Sequence, residues 1–201
     1  MRYYYKLTDE KFQSNNNTQW GEGITHKATG KGDTLCSSDV IHVYDHPLKA
    51  AMFNPIHANF QNPVLWTCHV KKIVANDTLK VGVKECTTIK RISLPKITTN
   101  QRVRFAILCA LKVYNDKDFV TWAGNWLSGK NKTAEAAARA AWATGAAWAA
   151  WAAGAAWAAE AAGAAGAAGA ARAAGAAAEA AWAAEATDID FVALIKKVMK
   201  D

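Results

Sequence analysis

The hydrophobic pattern of this chain changes period three times. Through residue 94 apolar positions mostly alternate with polar ones. From about 99 to 127 they recur every third or fourth residue. From 139 to 175 every third position is Trp, Gly, Glu or Arg between pairs of alanine, broken only by Thr144, and the last dozen residues return to a helical stripe. Alternation predicts strands over residues 2–8, 24–28, 39–45, 64–75 and 78–94. Asn76-Asp77 supplies the turn between the last two, and Val81-Gly82-Val83 allows a bulge. In the 39–45 strand, Val40, His42 and Tyr44 share one face and Ile41 and Val43 the other. The polar run 14–18 predicts a loop. His46-Pro47 opens a short helix over 48–53, because proline suits a first helical turn, and Asn54-Pro55 breaks or kinks it before 57–60.

Pro95 ends the strand-rich part. Thr99 or Asn100 then caps a helix to about Tyr114, with Val103, Ile107, Leu108, Ala110 and Leu111 as its stripe. Asp116 or Asp118 caps another over 119–127, closed by Ser128-Gly129, and an amphipathic helix over 188–200 carries Phe191, Leu194, Ile195 and Val198. The fold class that follows is α+β: a small antiparallel or mixed β-sheet domain over 1–98, then an all-helical Ala/Trp-rich bundle over 99–201.

Residues 134–186 hold 35 alanines in 53 positions. Alanine is the strongest helix former, and tryptophans at would-be glycine sites rule out a collagen-like helix. On an α-helix, triplet positions walk around the cylinder: Trp157 and Trp182 fall within about 60° of Trp142, while Trp148 and Trp151 lie on the far side. One flat neighbour cannot cover them all. Glycines 163, 166, 169 and 175 each cost about 1 kcal/mol in a helix, so the expected form is an αα-hairpin bent within 163–175. Its arms pack closely, the terminal helix caps them, and the unit forms homo-oligomers.

Charge separates along the same boundary. Residues 1–133 carry 19 Lys and Arg against 10 Asp and Glu, whereas the repeat carries 2 against 4. A basic front attracts phosphates, nucleotide-derived ligands, nucleic acid or an acidic protein surface. Cys36, Cys68, Cys86 and Cys109 show no metal-binding spacing, and His26, His42, His46, His57 and His69 show no helical ligand pair. Neither a metal nor a cofactor is expected. Met1 is followed by Arg-Tyr-Tyr-Tyr rather than an apolar leader, and no window supplies about 18 strongly apolar residues. The expectation is a cytoplasmic protein with reduced thiols and no membrane span.

No nucleophile elbow or phosphate loop is present: Gly30-Lys31-Gly32 lacks the further glycines and the strand-to-helix context. The better prospects for binding are basic residues near strand edges, at Lys71-Lys72, Lys84, Lys90-Arg91 and Arg102-x-Arg104, with Tyr3, Tyr4, Tyr5 and Trp20 available to stack a base. The candidate ligand-binding set is Arg2, Tyr4, His42, Tyr44, Lys84, Arg91, Arg102 and Arg104. Without a basic helix or an interleaved Arg and aromatic motif, binding to nucleic acid would be non-specific and salt-sensitive.

Tyr5-Lys6-Leu7, Trp20-x-x-Gly23, Leu35-Cys36-Ser37, His42-Val43-Tyr44, Pro47, Ala50, Trp66-x-Cys68-x-Val70 and Lys84 together resemble the amino-terminal domain of a family of uncharacterised phage and prophage proteins with alanine-rich tails. From Phe105 through the repeat, the chain is similar to the immunity-protein domain of polymorphic toxin systems, an all-helical Ala- and Trp-rich module. These resemblances imply a non-enzymatic accessory or anti-defence protein in the host cytoplasm. It would bind a nucleotide-like ligand or a host defence protein, or act as an immunity-type binding protein. The run from strand to His42-x-Tyr44, Pro47 and a short helix also resembles a segment of ADP-ribosyltransferase-like folds. That likeness implies an NAD-using site with Glu85 as the catalytic carboxylate and Arg2 or His42 beside it.

Overall fold

The computed structural model describes residues 2–133, 136–137 and 189–200. The chain divides into two compact units, Met1–Lys96 and Ile97–Asp201. Its class is α+β, with an antiparallel sheet first and helices afterwards. The expected helical hairpin bent within 163–175, its arms and the covering of its tryptophans lie outside the described residues.

The first unit is built on a long hairpin of β6 (Val64–Asn76) and β7 (Val81–Ile92). Asp77 makes the turn between them: its carboxylate accepts the Leu79 and Lys80 amides at 3.1 and 2.8 Å, while Thr78 takes φ +64°. β1 (Tyr4–Thr8) pairs with the first half of β6, from Val64 to Cys68. The far edge of β7 carries two short strands, β5 (Ile41–Val43) on Val81–Val83 and β4 (Thr25–Lys27) on Glu85–Thr87. Tyr5 and Tyr44 exchange two backbone hydrogen bonds of 2.8 Å, which tie the end of β5 back to β1. The strands β1, β6, β7 and β5 thereby close into a ring. Tyr4, Trp20, Val43, Cys68, Val81, Val83 and Cys86 form one hydrophobic cluster there.

Several expectations are corrected. Residues 14–18 are not a plain loop: β2 (Gln13–Ser14) and β3 (Thr18–Gln19) form a minimal hairpin around a turn at Asn15–Asn17, because Asn16 and Asn17 tolerate φ of +58° and +54°. The strand expected over 39–45 pairs with its neighbour only as β5. The bulge lies not on β7 but opposite it, where Val74 is the extra residue facing the Gly82–Val83 step. Gly82 serves instead for close approach, since a Cβ there would stand 3.1 Å from each of Ala75, Leu35 and Val40. A second bulge leaves Ile89 unpaired on β7.

Helix α1 (Pro47–His57) continues through Pro55 instead of breaking. Proline deletes one intrahelical donor, and here it falls in the last turn. The buried Asn54 side chain holds that end by bonding both the amide and the carbonyl of Phe60. At the other end His46 Nδ1 caps the Leu48 amide at 3.1 Å.

The second unit begins with α2 (Thr99–Val113), whose N-terminus is closed by a reciprocal Thr98–Gln101 capping box. The expected single stripe is incomplete. Phe105, Ala106 and Cys109 are as buried as Val103 and Ile107, so apolar neighbours cover more than one side, while Leu108 and Leu111 stay partly exposed. Helix α3 (Lys117–Leu127) starts at Asp116, whose carboxylate accepts the Asp118 and Phe119 amides at 3.0 Å. The terminal helix α4 (Phe191–Lys200) begins later than expected, with Asp190 accepting the Ala193 amide. It docks on α2 through the Phe105–Phe191 ring pair, 6.2 Å apart.

Candidate functional site

The register of the sheet decides which side chains can act together, because directly paired residues point to the same side. Between β4, β7, β6 and β1 three successive rows form on one side. The first is Lys27–Glu85–Lys71, the second Thr25–Thr87–His69 with Tyr3 beside it, and the third Lys90–Thr67–Tyr5. Side-chain contacts bear out the rows. Glu85 lies 2.6 Å from the Lys71 ammonium and 3.6 Å from that of Lys27. The Thr25 and Thr87 hydroxyls bond at 2.8 Å. Tyr3 stacks on His69 with ring centroids 5.1 Å apart and planes 24° from parallel.

This face is open. The Lys27 and Lys71 side chains are 76% and 79% exposed, and Tyr3, at 48%, is among the most exposed large hydrophobic side chains described. Rows one and three are four residues apart along β6, about 13 Å at roughly 3.3 Å per residue. The aromatic pair therefore sits between the Lys27 and Lys71 ammonium groups on one side and Lys90 on the other. Glu85 is held below the usual carboxylate range, first by the hydrogen bond from Lys71 and then by both lysine charges.

A second polar cluster lies where α1 meets the turn between β6 and β7. Lys49 reaches the Asp45 carboxylate at 3.0 Å and the Thr78 carbonyl at 2.5 Å, and Lys80 pairs with Asp77 at 2.5 Å. The Tyr44 hydroxyl is 3.1 Å from His57 Nδ1, with the two rings stacked. Burial holds both His42 and His57 down at about 4, assisted by nearby ammonium groups, and pushes Tyr44 up. All three are neutral at physiological pH; Tyr44 and His57 bond each other, His42 bonds the loop before β5, and Lys49 ties α1 to the turn.

The structure does not gather the six sequence-derived candidates of the first unit into one site, and the other two belong to the second unit. Arg2 is exposed, 3.7 Å from Asp45, with its guanidinium over the ring of Tyr4. Tyr4 is in the core, and so is Trp20, whose indole donates to Ser14 at 2.7 Å. His42 Nε2 accepts the Cys36 amide, and Tyr44 bonds His57 as above. Lys84 is consumed by the loop before β5, where its ammonium donates to the carbonyls of Gly30, Gly32 and Asp39. Arg91 stands over Phe12, on the side opposite Lys90. Arg102 and Arg104 belong to the helical unit and donate to the carbonyls of Ile97 and Leu127.

Sequence reasoning did pick out Tyr3, Lys71 and Lys90 as available. It missed Lys27 and His69 as members of the same face, because only strand register places them there. Among the described residues no group of His, Cys, Asp or Glu could hold a metal ion, and no helix is long and apolar enough to cross a membrane. All four cysteines are free, with only Cys36 exposed. No protein-family model, curated protein or solved structure matches the chain.

Proposed function

We propose that the N-terminal unit is a non-enzymatic binding module that holds an anionic, nucleotide-like ligand on its open sheet face. One observation carries this reading: the Tyr3–His69 stack lies between the cation rows of Lys27 with Lys71 and of Lys90. An exposed aromatic surface takes up a base, and flanking ammonium groups take up phosphate. The state of Glu85 supports binding over NAD chemistry, since a carboxylate bridged by two lysines is already engaged. In this reading the Ala/Trp-rich repeat completes a helical bundle that assembles copies of the chain. The protein then serves as a cytoplasmic accessory protein of the phage and prophage kind that its sequence resembles.

Calorimetric titration of the full chain with nucleoside triphosphates and ADP-ribose derivatives tests the proposal. Saturable binding that Lys27→Ala with Lys71→Ala removes is expected. Absence of binding to any nucleotide or oligonucleotide would overturn it. Release of nicotinamide from NAD that Glu85→Gln abolishes would overturn the non-enzymatic part.

A further inference from the structure

The open face offers more than one phosphate position. Lys71 and Lys27 lie on one side of the Tyr3–His69 stack and Lys90 on the other, with about 13 Å between the two rows. A mononucleotide carries its phosphates on one side of its base, so it can satisfy only one row while stacked. A ligand that uses both rows must carry phosphate on both sides of a base, and that is the chemistry of a polynucleotide strand.

Resting on the reading above, we infer that the natural occupant of this face is single-stranded nucleic acid. The bases must be unstacked to reach Tyr3, and a duplex hides them between neighbours. The Thr25–Thr87 hydroxyl pair in the middle row supplies groups that bond sugar or phosphate oxygen without reading a base. Every base has a π-face, so the contact tolerates any sequence. DNA and RNA share the chemistry used here. Glu85 fits the same picture as a brake: it offsets one of the two ammonium charges of its row and repels phosphate.

Fluorescence anisotropy of the full chain with fluorescein-labelled oligothymidylate and oligouridylate of two to twelve nucleotides tests the inference. Nucleoside triphosphate, a hairpin duplex and polyglutamate serve as unlabelled competitors. Expected are affinity that rises with length, competition by single strands well ahead of the other three, and a fall in affinity with rising salt. Tyr3→Ala should weaken binding by about ten-fold or more, the range of one lost base stack. Lys71→Ala should weaken it and flatten the salt dependence, whereas Glu85→Gln should tighten it by about three-fold through removal of a like charge. Tyr3 and Lys71 are exposed, so a melting temperature equal to that of the parent chain separates lost contact from lost fold.

Triphosphate competing as well as a twelve-mer would overturn the inference and leave the proposed function standing. Duplex or polyglutamate competing as well as single strand, or an unchanged affinity in Tyr3→Ala, would also overturn it. Absence of binding to every oligonucleotide and nucleotide would overturn both.

Discussion

Replacing Lys6 by methionine should stabilise the N-terminal unit, by an amount that shrinks as the pH rises. Lys6 is buried inside the strand ring, near the thiols of Cys68 and Cys86 and with its ammonium 5.3 Å from the centre of the Trp20 ring. Its hydrogen bond goes to the carbonyl of its own neighbour Leu7 at 3.3 Å, and none of the ion pairs among the described residues includes it. Burial therefore pushes its pKa down from the ordinary 10.5. Between the lowered folded pKa and 10.5 the unfolded chain holds a proton that the folded chain has released, so stability rises with pH in that window. The full slope is about 1.4 kcal/mol per pH unit. Within that window the advantage of Lys6→Met should widen by about 1.4 kcal/mol for each unit by which the pH falls. Methionine keeps a flexible, apolar chain of similar length against the indole. The assay is urea unfolding of the full chain, followed by peptide-resolved thiol labelling of Cys68 and Cys86. Both thiols are fully buried and report on this unit alone. Parallel stability curves for the two proteins across that pH range, or a variant less stable than the parent at pH 7.5, would refute the reasoning.

His42 and His57 give the opposite end of the pH scale. With His42 and His57 held at about 4 against an ordinary 6.5, stability is complete above pH 6.5 and is lost as pH falls toward 4. Imidazole resonances that titrate near 6.5 in the folded protein would contradict this. Gly30→Ala would place a Cβ 2.1 Å from the Asp39 carboxylate and 2.7 Å from its Cα. It should cost roughly 1–3 kcal/mol by thermal or urea denaturation. Lys84→Ala, which removes the ammonium bound to three loop carbonyls, should cost about 2–4 kcal/mol in the same assay. Asp116→Ala deletes the cap of α3 and should cost about 1 kcal/mol, read as faster amide exchange at Asp118 and Phe119.

Much of the local structure was legible from residue order. Period-two alternation located the β6 and β7 strands, and Asn76-Asp77 marked the turn because its carboxylate and amide side chains can satisfy turn amides. For α3, residue order left Asp116 and Asp118 as alternative caps and began the helix at 119; the structure uses Asp116 and begins it at Lys117. The helix through Pro55 was not legible. Whether one missing donor breaks a helix depends on what holds its last turn, and Asn54 does so by reaching residue 60. Lys84 read as a free cation, because nothing in residue order says that a loop 45 to 54 residues away will spend its carbonyls on it.

The sequence by itself determined most element types and their approximate places, the basic front and the presence of Tyr3 and Lys71 as candidate contact residues. These follow from short-range physics: backbone propensity, capping and side-chain periodicity. Tertiary structure alone decided which of these residues meet. Bulges at Val74 and Ile89 each shift the pairing by one residue, and a one-residue shift turns every later side chain to the other side of the sheet. That is why Lys90 shares a side with Lys71 while Arg91, its neighbour in sequence, stands over Phe12 on the other.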